Sequence, residues 1–205
     1  DAHRHIFETG ALPVPPEPEA MRASRVFPVG GSARPRRVAG IPPAWHVILP
    51  FAGGGSDPMA AIHPPEREIR LDAVYDGKVG PVRWEVRRTF GGVIGLGELV
   101  TGAEMTQGAT AYATCEVISS KAQDVRILFG SDDDMVMWLN GREVVRRVYA
   151  GGLSRDAETR DAALRAGRNR VLVKVHNRKG MWGFHLRFTD MQGKPLAGLR
   201  FAPRP

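Results

Sequence analysis

The chain has 205 residues, of which 42% are hydrophobic, enough for one ordinary domain with a core and too apolar for wholesale disorder. A single cysteine excludes an internal disulfide framework, a four-thiolate zinc site and a covalently attached c-type haem, and no apolar run is long enough for a membrane-spanning helix. Lys and Arg number 29 against 22 Asp and Glu, a net charge of +7 that speaks to partners (acidic protein, anionic lipid, acidic polysaccharide or nucleic acid) and not to fold.

Residues 1–44 hold half of the sixteen prolines, in runs such as Pro13-Val14-Pro15-Pro16 and Ile41-Pro42-Pro43. Proline lacks a donor and restricts its predecessor to extended backbone, so this segment reads as an extended arm. An arm of this composition orders only against something else, and a neighbouring chain is the expected support. A chain opening at Asp1 rather than Met is expected to have lost a leader or to lie inside a longer protein, and the first case implies the periplasm or cell surface.

From Trp45 the sequence becomes a series of short strands. Trp45–Phe51 is the first; then Ile69, Leu71 and Ala73 alternate with polar neighbours, as do Val82, Trp84 and Val86 and then Ala111, Ala113, Cys115 and Val117. Further strands are expected over 125–129, 135–139, 142–148, 171–175 and 182–188. Turns are written at Asp76-Gly77, Asn140-Gly141 and Ala166–Asn169, and Asn-Gly between two apolar runs is a strong hairpin signal. Gly91–Gly97 reads as a loop, and only 156–166 has a helical composition. Period two with turns between predicts an all-β fold, an antiparallel β-sandwich over 45–192, followed by a C-terminal strand or tail over 193–205.

Three stretches carry a family likeness: Trp45–Phe51; Phe129-Gly130-Ser131-Asp132-Asp133-Asp134 continuing to Asn140-Gly141; and Leu164–Val175 followed by Trp182–Arg187. Together they resemble the galactose-binding-like jelly-roll modules appended to bacterial glycoside hydrolases, and the Ser-Asp-Asp turn is similar to that of the anthrax protective-antigen type of sugar-binding domain. The resemblance implies a jelly roll, and it implies that Asp132 and Asp133, with Asp134, could hold calcium against sugar hydroxyls. The alternative is a turn whose carboxylates bond local amides. Asp134 stands where the pattern has glycine.

The sequence nominates no catalytic group. It has no P-loop, no dinucleotide fingerprint, no H-E-x-x-H, no G-x-S-x-G and no converging pair of acids, so the chain is not expected to be an enzyme. Asp1 and His3 would chelate copper or nickel if Asp1 is the true amino terminus, through the amine, two amides and the imidazole. Trp84, Trp138 and Trp182 fall on apolar strand phases and read as core, whereas Tyr75 and Tyr149 at strand ends are placed for a sugar site. His176 and His185 read as a surface pair.

Between Arg142 and Arg187 there are twelve Lys and Arg against four Asp and Glu. Arg142, Arg146, Arg147, Arg168, Arg178 and Lys179 sit in or beside turns, where they would engage carboxylates of a partner. Interleaved exposed aromatics are missing, so nucleic acid is not the expected partner. Two readings stand. One is a non-catalytic extracytoplasmic accessory subunit that docks on a larger, membrane-associated protein assembly through its arm and basic face. The other is a carbohydrate-binding module for a polysaccharide, assisted by calcium.

Overall fold

A strand whose apolar residues recur every second position has one face to bury, and two such sheets can bury each other. In the computed structural model, residues 39–54 and 57–203 are described; Asp1, His3 and most of the proline-rich segment lie outside them. The strands are β1 (Ala44–Ala52), β2 (Val74–Asp76), β3 (Pro81–Arg83), β4 (Glu85–Arg88), β5 (Val93–Gly95), β6 (Ala109–Ser119), β7 (Gln123–Asp132), β8 (Asp134–Leu139), β9 (Arg142–Arg147), β10 (Glu158–Leu164), β11 (Gly167–Asn177), β12 (Gly183–Thr189) and β13 (Arg200–Ala202). Two single-turn helices, α1 (Pro64–Arg67) and α2 (Ala103–Thr106), lie in the connections. No helix among the described residues is long and apolar enough to cross a membrane.

All pairings are antiparallel. The larger sheet runs β4-β1-β6-β11-β8-β9, with β13 continuing along the part of the β6 edge that β1 leaves. The facing sheet runs β10-β7-β12-β5, and β2 and β3 form a separate ribbon. The expected antiparallel sandwich is therefore the observed fold. Its interior holds Val171, Val173 and Val175 of β11, the small residues Ala111, Ala113 and Cys115 of β6, and Phe129, Phe184 and Phe188 from the facing sheet. Trp45 meets Phe184 edge-on at 5.2 Å between ring centres. Burial pushes the Cys115 thiol well up, which leaves it inert.

Part of the outer face of the larger sheet is covered too. The 53–84 connection folds back over it, so Ile48, Phe51, Trp84, Tyr112 and Leu172 form a second apolar cluster. This is why β6 is buried on both faces from Ala109 to Cys115, where strict alternation predicted one wet face. Lys174 of β11 sits at the centre of this layer, fully buried. Its ammonium donates to Met59 O at 3.1 Å, to Ala61 O and to Glu66 Oε1, the last at 2.9 Å. Three donors and three acceptors leave the charge satisfied. Glu66 is placed by α1, whose first two residues are prolines, and it also accepts from the Tyr112 hydroxyl.

Several local expectations are overturned. The segment with helical composition forms β10, hydrogen-bonded to β7 along its whole length; Ala162 and Leu164 turn inward at period two, and the open β7 edge outweighs the helix propensity of Glu, Arg and Ala. Ile69–Ala73 is irregular, because Ile69 packs on the second cluster while Arg70 and Leu71 stay exposed. The strand expected across Trp84 breaks there: β3 pairs with β2, β4 pairs with β1, and the indole between them is buried. Within 91–97, Val93–Gly95 is a strand on the edge of β12. The Asn140-Gly141 hairpin is as expected, with both residues at positive φ, 55° and 82°.

Candidate functional site

β7 and β8 are joined through Asp132, Asp133 and Asp134, and all three are buried. Asp133 and Asp134 are consumed by structure. Asp133 accepts from the Gly151 amide at 2.9 Å through Oδ1 and from the Arg178 amide at 2.8 Å through Oδ2. Asp134 takes the Tyr149 amide at 2.8 Å and both arms of the Arg178 guanidinium at 3.0 Å. Ser131 donates to Asp133 O and is itself held by Arg147, whose guanidinium lies 3.6 Å over the Tyr149 ring. The turn is thus a junction that ties the 147–151 and 177–178 segments to the end of the sandwich.

Asp132 differs. Its carboxyl is held above the usual carboxylate range by burial and by the neighbouring Asp133 charge, against one amide bond from Leu153. It lines a cavity of about 380 Å³ at the end of the smaller sheet. Glu98, Thr106, Leu153, Met181 and Trp182 complete the polar and apolar lining, and Gly95, Gly97 and Gly183 supply wall without side chains. Gly183 is required there, since a Cβ would stand 2.7 Å from Ile94 O. The Trp182 indole N–H is buried with no hydrogen-bond partner among the described residues. Two carboxyl groups, Asp132 and Glu98, beside Trp182 around one small cavity can bind a ligand rich in hydroxyl groups.

The aspartates do not suit calcium as arranged. That ion takes about six to eight oxygens, yet Asp133 is spent on amides and Asp134 on a guanidinium, which leaves Asp132. Among the described residues no three His, Cys, Asp or Glu side chains converge on one point. The copper or nickel site expected at Asp1 and His3 lies outside the described residues.

The remaining candidates scatter. Tyr149 joins the aspartate turn, but Tyr75 lies on the β2–β3 ribbon, its hydroxyl on Arg70 O at 3.2 Å. Arg146 pairs with Glu143, Arg147 with Glu158, Arg168 with Glu116 and Arg178 with Asp134. Arg142 and Lys179 are exposed. His176 and His185 are no surface pair: both are buried, on opposite sheets. His176 Nδ1 lies 3.1 Å from Thr110 Oγ1, and His185 is braced between Gly92 O and Asp156 at 3.0 Å each. Of the tryptophans, Trp84 and Trp182 are buried, Trp182 as a cavity wall, and Trp138 is half-buried on the outer face of the larger sheet.

Glu98 and Trp182 were not legible as site residues. Glu98 follows a glycine-rich run that reads as a loop, and Trp182 sits on an apolar strand phase. The one signal was the density of glycine at 91–97 and 180–183, which marks close backbone approach.

No protein-family model matches this sequence, and no curated protein sequence does. Among solved structures, the chain is similar to the PA14 domain of the MpAFP antifreeze protein, at 13% identity over 42% of this chain and 45% of that one, with a TM-score of 0.35. It is similar to an anti-sigma factor domain-containing protein from Clostridium clariflavum, at 11% identity, 77% and 47% coverage and a TM-score of 0.43. It is also similar to a beta-glucosidase from Kluyveromyces marxianus, at 12% identity, 76% and 19% coverage and a TM-score of 0.46. The chain spans less than half the length of each of these three.

Proposed function

We propose that the sandwich is a non-catalytic carbohydrate-binding module, with its ligand in the cavity formed by Asp132, Glu98 and Trp182. The observation that carries this reading is a cavity that gathers two carboxyl groups and an indole: the buried Asp132, bonded to the Leu153 amide, the exposed Glu98, and Trp182 in the wall. Sugar hydroxyl groups both donate and accept, and would bond both carboxyl groups. The resemblance of residues 45–51, 129–141 and 164–187 to galactose-binding-like modules points the same way, and it implies an extracytoplasmic setting.

Isothermal titration against a panel of neutral mono- and oligosaccharides tests the reading. Saturable binding that falls about tenfold or more in Asp132→Ala and in Trp182→Phe, with melting temperature within a few degrees of the parent, is the expected result. Binding and melting temperature should be indifferent to calcium and to a chelator, because Asp133 and Asp134 are already partnered. Binding that survives both substitutions removes the cavity from consideration. Release of free sugar from an oligosaccharide would overturn the non-catalytic reading and assign acid and base roles to Asp132 and Glu98.

A second reading, docking on a larger assembly, rests on Phe90 and Met181, which are 90% and 75% exposed. Large apolar side chains left in water suit a protein contact. Stable co-migration of the native protein with a large complex, lost on Phe90→Ser, would support it.

A further inference from the structure

The outer face of the larger sheet is covered by the 53–84 connection over one half only. Beyond Ile69 the side-chain face of β6, β11 and β8 lies open as a groove built from three adjoining depressions of about 710, 200 and 450 Å³. The first two share Ile69, Glu116 and Arg170, and the second and third share Ala202. Register fixes the arrangement. Ile118 of β6 stands between Arg168 of β11 and Arg200 of β13, and Glu116 between Arg170 and Ala202. Directly opposed residues share a face, so three guanidinium groups flank β6, those on β11 and β13 about 10 Å apart across two strand spacings. Arg165 and Arg67 stand at the rims.

The charge is unbalanced. Glu66 is taken by Lys174 and Tyr112, and Glu116 by Arg168. Arg67, Arg165, Arg170 and Arg200 are exposed and have no ion-pair partner among the described residues, against one remaining acid, Glu68. The floor is apolar. Trp138 lies opposite Leu172 in register, half-buried, with Ile69 beside it.

We propose that this groove binds an acidic polysaccharide, a chain whose sugars carry carboxylates. Guanidinium groups take carboxylates in a bidentate fashion, and a flat indole against an aliphatic floor takes the apolar face of a pyranose ring. An acidic peptide suits it less. An extended peptide seeks backbone partners at a sheet edge, whereas this groove crosses strands whose backbone groups are already paired in the β6–β11 and β11–β8 ladders. Single-stranded nucleic acid stacks successive bases on successive aromatics, and Trp138 is the one aromatic lining the depression of about 710 Å³. Residues 1–38 of this chain carry six Arg against four acids, so they do not complement the groove. The site shares no residue with the cavity of Asp132 and stands independently of it.

The test is titration of the full chain with an oligogalacturonate, a neutral cello-oligosaccharide and a thymidine oligonucleotide. The oligogalacturonate should bind, more weakly as salt rises, and about tenfold or more weakly in Arg170→Ala/Arg200→Ala. Both arginines are exposed, so the variant should keep the parent melting temperature. Asp132→Asn should leave this binding unchanged, which separates it from the cavity reading. Trp138→Ala should weaken oligogalacturonate binding without changing its salt dependence. No binding of the oligogalacturonate, equal binding of the neutral chain, or binding untouched by the double arginine variant each overturns the proposal. Tighter binding of the oligonucleotide overturns it in favour of nucleic acid.

Discussion

Asp132, at the end of β7, and Asp156, bonded to His185 and Arg187 of β12, are carboxylates whose surroundings act on them in opposite directions. Burial and Asp133 raise the Asp132 carboxyl, so folding disfavours its anion and the protein loses stability as pH rises through the folded value. Asp132→Asn removes that anion. It should raise the melting temperature at pH 7, and the gain should vanish at acid pH, where the parent is protonated as well; calorimetry at both pH values checks this. Asp156 is lowered, first by its hydrogen bonds from Arg187 at 2.7–3.0 Å and then by His185, against a burial penalty. Its stabilisation is present above the ordinary carboxylate range and is lost as pH falls through the depressed value. Asp156→Asn should therefore lower the melting temperature at neutral pH and converge on the parent in strong acid.

Among elements, the 53–84 connection does the work of a third layer, and Lys174 is where it is anchored. Lys174→Met leaves the partly buried Glu66 beside Tyr112 without its cation, which costs up to about 3–5 kcal/mol. Replacing both partners, Lys174→Met with Glu66→Leu, should recover most of that loss, because no charge is then stranded. Equilibrium urea unfolding of the single and double variants measures the difference. The sequence shows a strand at 171–175 but not this layer. Lys174 falls on the phase that alternation assigns to solvent, and its three acceptors come from residues more than a hundred positions away. The edge strand β10 was hidden for a related reason: its residues are good helix formers, and the β7 edge that recruits them lies some 35 residues away.

For the whole molecule, β6 and β11 are the structural axis. Each is hydrogen-bonded on both edges and covered on both faces over most of its length. Hydrogen exchange should find its slowest amides in these two strands, and its fastest among the paired residues in β2, β3 and β13, which are short and largely exposed. Equal protection across the ribbon and the axis would contradict this layering. The two candidate sites lie on different sheets, the cavity of Asp132 at the end of the smaller sheet and the arginine groove on the outer face of the larger.

The sequence by itself determined the all-β class, the antiparallel pairing and most strand positions, since period two and the Asn-Gly turn are local properties of the backbone. It also marked the aspartate turn, though not that Asp133 and Asp134 are spent on Gly151, Tyr149 and Arg178. Tertiary structure alone decided which face of each strand is wet, that Trp182 walls a cavity while Trp138 floors a groove, and which arginines keep a free charge. Each of those depends on contacts between residues distant in the chain, and alternation along one strand carries no record of what its other face will meet.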